Sequence, residues 1–241
     1  MTLGVAHFGL TFAPPGRPPF QALEDLNFSL ARGEILGIAG SSGAGKSLIA
    51  AALAGVLPAG ARTEGWIAID GSPPGPRDIA LAPQRLDALD PLAPLGRQIQ
   101  RLLRQRCDPG ALLTRVGLSK TLVGRYPHEL SGGMARRALL ATALASGADW
   151  LVVDEPTVGL HPEAADHVMA MLSGFAQAGH GLVVVSHDLP RLARIADRVL
   201  VLSQGRAVET TCASAFAGGG AALQHPFSRA LWEAQIPEGA C

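Results

Sequence analysis

Cysteine is scarce in this sequence: three in 241 residues, at Cys107, Cys212 and Cys241. They make no C-x-x-C pair and leave an odd number. Neither a disulfide framework nor a thiolate metal site is expected, and a reducing compartment is the simplest setting. Charge is also sparse, 17% of residues, and it cancels: 20 Lys+Arg against 20 Asp+Glu. A broad basic face is therefore not expected, nor a nucleic-acid partner. Long apolar runs are missing. The longest candidate, Leu48 to Ala61, is broken by Pro58 and glycines and falls short of the roughly 18–20 residues of a membrane span. The opening MTLGVAHFGLTF lacks a basic stretch ahead of a long apolar one, so no secretory signal is expected. What remains is 48% hydrophobic, too apolar for a disordered chain. The length fits one large domain, with or without a subdomain.

Two Pro/Gly clusters, Pro14 to Pro19 and Ser72 to Pro76, read as surface turns between strands. Strand-like runs lie at Leu26–Leu30, Glu34–Ala39 and Trp66–Asp70, the last ending in the turn pair Asp70-Gly71. From Leu86 to Ala145 the pattern changes, with Ile99, Leu102 and Leu103 and then Ala111 to Val116 at helical spacing. Beyond it come two short, wholly apolar runs, Leu151–Val153 and Leu182–Val185, with the helical pattern Glu163–Ala178 between them. Buried parallel strands read this way, and a strand–helix–strand crossover joins them. The expected fold class is α/β, with a mostly helical insert in the middle.

Gly40-Ser41-Ser42-Gly43-Ala44-Gly45-Lys46-Ser47 fits G-x4-G-K-[ST] in full. It follows the strand run Ile35–Ala39 and precedes the helix-like Leu48–Leu57. Glycines let backbone N–H groups converge on phosphate oxygens without Cβ clashes. The helix start adds partial positive charge. A lysine there reaches the outer phosphates, and a serine hydroxyl suits Mg2+. Next, Leu151-Val152-Val153 delivers Asp154 and Glu155 at a strand's C-terminal end, where α/β proteins bind ligands. Asp154 can hold Mg2+ through water and Glu155 can polarise a water. A solvated strand end or a helix cap is the plainer alternative. Third, Leu130-Ser131-Gly132-Gly133-Met134 precedes the helical run Ala135–Ala145. Ser and two glycines at a helix start make a second anion site, or an ordinary N-cap. One nucleotide does not need two cradles from one chain. Two chains arranged head to tail would.

With Gln84 after the strand Ile79–Ala82 and Ser186-His187-Asp188 after Leu182–Val185, five motifs stand in order. Across nearly its whole length the chain resembles the nucleotide-binding subunit of an ABC transporter. The resemblance implies a P-loop NTPase core with a helical subdomain, about 86–145, and an N-terminal antiparallel β subdomain, all within one nucleotide-binding domain over 1–241. It implies ATP and Mg2+ as ligands. Residues 40–47 and Gln84 would contact the nucleotide. Ser47, Gln84 and Asp154 would serve Mg2+, Gln84 also sensing the membrane partner. Glu155 and His187 would be catalytic, His187 touching the γ-phosphate. Ser131, Gly132 and Gly133 would contact the partner's ATP. An aromatic near the first strands would stack on adenine: Phe12, or else Phe20.

Finer features narrow the branch. Gln84-Arg85-Leu86-Asp87-Ala88-Leu89-Asp90-Pro91 and Tyr126-Pro127-His128-Glu129-Leu130 resemble the peptide and nickel importers. So does His225-Pro226-Phe227-Ser228-Arg229-Ala230-Leu231, and the short nickel and metallophore members look most similar. The implied partners are two transmembrane permeases, a second ABC ATPase, identical or related, and indirectly an external solute-binding protein. The implied place is the cytoplasmic face of the inner membrane, peripherally bound. A charge-poor face near Gln84 and the helical insert would receive a short permease helix. The cargo stays open among nickel, a metal–chelator complex and a short peptide. The chain ends at Cys241 without the cysteine cluster of longer members, so no iron–sulfur centre is expected. His161, His167, His180 and His187 make no i,i+4 pair and read as no metal site. One position departs from the family: Val158-Gly159-Leu160 is followed by His161 where an Asp is usual. A soluble ABC ATPase of translation or DNA repair shares the motifs, and a P-loop kinase or GTPase only the first of them.

Overall fold

A computed structural model describes residues 1–14, 16–103 and 107–235. Its elements in chain order are β1 (Thr2–Phe12), β2 (Phe20–Ala31), β3 (Ile35–Gly40), α1 (Lys46–Leu53), β4 (Ala61–Ile69), β5 (Ile79–Ala82), α2 (Leu95–Leu102), α3 (Pro109–Arg115), α4 (Gly132–Ala145), β6 (Trp150–Asp154), α5 (Pro162–Gln177), β7 (Gly181–Val185), α6 (Leu189–Ile195), β8 (Arg198–Ser203), β9 (Arg206–Cys212) and α7 (Pro226–Glu233). Three of the strands form an antiparallel sheet in the order β2-β1-β4. The other six form a sheet in the order β5-β6-β7-β3-β8-β9, parallel except for β9. The fold is thus α/β with an antiparallel subdomain at its N-terminal side.

The all-apolar strands make sense because the parallel sheet has protein on both faces. Side chains alternate along a strand, and here they alternate between two cores. Leu36 and Ile38 of β3, Val152 of β6, and Val183 and Val185 of β7 pack with β1, β2 and α1. Ile35, Ala39, Leu151, Val153, Leu182 and Val184 pack the other way, against α4, α5 and α6. The helical insert shares this second core. Leu95, Ile99, Leu113 and Val116 meet Leu139 and Leu140 of α4, which lies on the sheet beside Ala80 and Ala82. So α4 belongs to the insert by sequence and to the sheet layer by packing.

Some boundaries move. The helix expected over Leu48–Leu57 begins at Lys46 and stops at Leu53, where Gly55 turns at φ 69. The helix expected over Glu163–Ala178 spans Pro162–Gln177. The Asp70-Gly71 turn is present, with both residues at positive φ. Asp70 Oδ1 accepts the Thr2 amide at 2.7 Å, pinning β4 to the start of β1. Among the described residues no helix is long and apolar enough to cross a membrane. The expectation about an iron–sulfur centre turns on the tail to Cys241, which lies outside the described residues.

Candidate active site

Strands β3, β6 and β7 are neighbours in the sheet and parallel, so their C-terminal ends open on the same side. Out of them run the phosphate loop, the Asp154-Glu155 pair and Ser186-His187. The sheet order places together residues that the sequence spreads over more than a hundred positions.

The loop from Gly40 to Gly45 depends on its glycines. Gly40 has φ 155, and a Cβ there would lie 2.2 Å from the Leu202 carbonyl oxygen of β8. Gly45, the N-cap of α1, has φ 105, and a Cβ there would lie 2.6 Å from Leu23 Cδ2. Any side chain at either position would push the loop off the sheet. No side chain caps α1, so its first N–H groups point outward as an anion site. Lys46 Nζ donates to the Gly40 and Ser41 carbonyls, both at 2.9 Å. Burial lowers its pKa, while the Glu155 and Asp154 carboxylates act to raise it. Ser41, Ser42, Gly43 and Ser47 are exposed, and Ala44 is packed inward.

Asp154 is buried, and that burial raises its pKa. The Ser47 hydroxyl bonds to it and acts the other way, the neighbouring Glu155 charge adds to the rise, and Lys46 and Arg136 oppose it. Its Oδ1 is buried with no hydrogen-bond partner among the described residues. A buried carboxylate oxygen left unpaired beside a serine hydroxyl fits a hard divalent cation such as Mg2+.

Glu155 is 8% exposed at its side chain and His187 is 63% exposed. Glu155 Oε2 lies 2.7 Å from His187 Nδ1. The His187 amide also lies 3.4 Å from the same oxygen, so Glu155 holds both the ring and the backbone of His187. Glu155 sits at φ 53, in the left-handed region that a non-glycine residue seldom adopts. Its N–H donates to Val185 O at 2.9 Å. Its carbonyl accepts from Arg136 Nη1 at 2.9 Å, and the same nitrogen lies 3.3 Å from the Gln84 carbonyl. The Gln84 side chain is exposed just past β5. Arg136, on α4, was not among the residues expected here. Burial lowers its pKa against the pull of Glu155 and Asp154.

Ser131 is the N-cap of α4, its Oγ accepting the Met134 amide at 3.3 Å. Ser131 and Gly132 are exposed. A Cβ on Gly133 would meet Leu160 at 2.8 Å, so the 158–161 loop rests against this turn. His161 is exposed at the N-cap of α5 and makes no side-chain cap bond. Phe12 and Phe20, held as alternatives, form one stacked pair, ring centroids 5.4 Å apart at 26°. The pair sits at the end of β1 and start of β2, two residues from Ala22, whose carbonyl borders Gly45. The C-terminal segment reaches the site from behind: Gln235 Oε1 accepts the Leu189 amide at 2.9 Å, two residues past His187.

The matching family model is that of the ABC transporter, over residues 23–158, more than half of the chain. The chain belongs to the ABC transporter family. It is an ABC-type ATPase, and its relatives fall in the peptide and nickel importer branch. It is 36% identical to the nickel import ATP-binding protein NikD of Rhodospirillum rubrum, over 84% of each chain. It is 30% identical to the oligopeptide transport ATP-binding protein OppD of Lactococcus lactis subsp. cremoris, over 88% of this chain and 69% of that one. It is 34% identical to the glutathione import ATP-binding protein GsiA of Escherichia coli O157:H7, over 90% of this chain and 39% of that longer protein. Among solved structures, a dimeric ATP-binding cassette in a post-hydrolysis state, bound to ADP and Pi, matches the fold with TM-score 0.77. It is 23% identical, over 88% of this chain and 98% of that one.

Proposed function

We propose that this ABC ATPase pairs head to tail with a second ATPase subunit and drives import of nickel, a metal–chelator complex or a short peptide through partner permeases. The observation that carries the reading is the convergence of Lys46, Asp154, Glu155 and His187 at the ends of three adjacent strands. In this reading residues 40–47 cradle the phosphates of ATP, and the Phe12–Phe20 pair stacks on adenine. Ser47, Asp154 and the Gln84 side chain hold Mg2+, which screens phosphate charge when bound. Glu155 accepts a proton from a water as its oxygen bonds to the γ-phosphorus and the bond to the ADP oxygen breaks. His187, fixed by Glu155, presents Nε2 to the γ-phosphate. Ser131, Gly132 and Gly133 serve the ATP of the opposite subunit.

For the permease, a groove lined by Pro91, Leu92, Tyr126 and His128 opens beside the insert. Leu92 is 87% exposed. Arg125 and Glu129 also line it and neutralise each other at 2.6 Å. An apolar helix end fits such a groove. That docking would hold the subunit at the inner face of a membrane, with a solute-binding protein delivering cargo outside.

The test is Glu155→Gln. The amide keeps the shape but cannot take the proton. The variant should bind Mg-ATP, hydrolyse it at least about 100-fold more slowly, a loss at the low end for general-base removal, and run as a dimer on gel filtration with ATP. Normal turnover removes Glu155 from this role.

A further inference from the structure

Arg136 makes contacts that neither a surface arginine nor a packing residue would need. It lies on α4, five residues past Ser131, and its half-buried side chain reaches back to the strand ends. One nitrogen, Nη1, serves two carbonyls on different strand ends: Glu155 past β6 at 2.9 Å and Gln84 past β5 at 3.3 Å. Its Nε is buried without a hydrogen-bond partner among the described residues. The guanidinium is only partly buried, yet an N–H shut off from solvent without a partner is costly to the fold. An arginine chosen for stability would not be left so. Arg136 and Asp154 also line one small cavity between α4 and the sheet.

The geometry at Glu155 gives this contact its leverage. A non-glycine residue at φ 53 is held there by its surroundings. Its N–H is tied to β7 through Val185 and its C=O to α4 through Arg136. The β7 tie is part of the sheet and rigid. The α4 tie is one side chain long. Helix α4 begins at Ser131-Gly132-Gly133, and its first turn touches Leu160 of the next loop. A small tilt of α4 therefore reaches the backbone of Glu155 directly, and the Gln84 loop moves with it.

We propose that Arg136 is a positioning residue that clamps the Glu155 and Gln84 carbonyls to α4, so that engagement of Ser131 by the opposite subunit sets the orientation of the Glu155 carboxylate. It does not touch the nucleotide. It acts through Glu155, and the inference rests on the reading of Glu155 as the hydrolytic carboxylate. Two consequences follow. Removing the guanidinium should lower kcat and spare nucleotide affinity.

The experiment measures steady-state ATP hydrolysis, fluorescent ATP-analogue binding and Tm on the full-length chain. Four variants are compared: Arg136→Met, Arg136→Lys, Glu155→Gln and the double variant Arg136→Met with Glu155→Gln. Arg136→Met should lose at least tenfold in kcat and keep analogue affinity within about twofold, the Tm showing that the variant is folded. Arg136→Lys, whose one ammonium can donate to both carbonyls, should recover most of the kcat. The double variant should be no slower than Glu155→Gln alone, since a residue acting through Glu155 has nothing left to position. Full kcat in Arg136→Met, or a further multiplicative loss in the double variant, overturns the proposal. If Arg136→Met does not fold, Arg136→Gln is read in its place, with the same expected losses. Normal turnover in Glu155→Gln overturns the reading of Glu155 instead. A dead Glu155→Gln beside a fully active Arg136→Met overturns the role of Arg136 alone.

Discussion

Two helices of this chain start on glycine-rich turns, and they start in opposite ways. Helix α1 has a glycine N-cap at φ 105, no side-chain cap, and a lysine folded back onto the carbonyls of its own loop. Helix α4 has a serine N-cap whose hydroxyl already takes one of its own amides, and its turn is exposed. The first end has no cap of its own, and a buried, unpaired Asp154 oxygen stands nearby. The second end is an ordinary capped helix as it stands. In the proposed reading the α1 cradle binds within one subunit, whereas the Ser131 turn meets a ligand only when another subunit brings one.

The largest test of that contrast is Lys46→Ala. ATP affinity of the isolated chain should fall about 10–100-fold, the equivalent of roughly 1.5–3 kcal/mol for a hydrogen bond to a charged group. Turnover should fall with it, as titration with a fluorescent ATP analogue and an ATPase assay would register. Ser131→Arg should do something different: leave analogue binding to the isolated chain intact and abolish cooperative hydrolysis in the assembled complex. Weakened binding in the isolated chain would place Ser131 in the same site as Lys46 and break the contrast.

A sharper version uses stability, where the two ends should answer with opposite signs. Asp154, buried beside the α1 cradle, has a raised pKa, so its charge opposes folding. The stability of the folded chain on this account is greater with the carboxyl protonated and is lost as pH rises through its raised pKa. Asp154→Asn should therefore raise the Tm of the nucleotide-free chain at pH 7, by about 2–4 °C for each kcal/mol gained. The gain should shrink as pH falls toward the usual carboxylate value of about 4. The variant should lose most of the thermal shift that Mg-ATP gives wild type. Ser131→Ala removes a cap and should lower Tm, for a cost of about 0.5–2 kcal/mol. Two shifts of the same sign would mean the ends are not built on different principles.

The smallest expected effect concerns a third helix start. His161 caps α5 without a side-chain bond, and an Asp there accepts what the histidine does not. His161→Asp should raise Tm by up to a few degrees, from a cap gain of about 0.5–1 kcal/mol. Whether it also changes coupling is read from steady-state hydrolysis in the assembled complex. If coupling needs an acceptor at this position, His161→Asp should hydrolyse ATP faster than wild type. Equal rates confine the effect of position 161 to the start of α5.

The phosphate loop, Asp154, Glu155 and His187 were legible because their chemistry demands fixed residue types at the ends of recognisable strands. The apolar runs at 151–153 and 182–185 announced two-sided burial, and the structure has it. The aromatic proposed for adenine was not narrowed to one residue, since Phe12 and Phe20 stack and either alone describes half of a pair. Arg136 was invisible because an arginine one turn into a helix reads as a solvated face. Only the arrangement of α4 over β5 and β6 brings it to the strand ends. The groove beside the insert was not legible, because Pro91 and Leu92 and the Arg125–Glu129 pair come together only in the fold. The edge strand β9, half-exposed and mixed in character, gave no apolar run to find.

The strand order has a consequence in time. Strand β3 carries the phosphate loop, and its hydrogen-bonding neighbours in the sheet are β7 and β8. Chain synthesis completes β3 at Gly40 and does not reach the start of β7 until Gly181. At about 5–20 residues per second, the wait is roughly 7–30 s. Throughout it, a strand with every residue destined for burial has neither partner, and no ATP site exists to recruit the ligand that would stabilise it. The nascent subunit therefore passes through a long interval as an unpaired apolar strand in search of an edge. Its yield in a cell should depend on chaperone supply during synthesis more than on the final stability of the sheet.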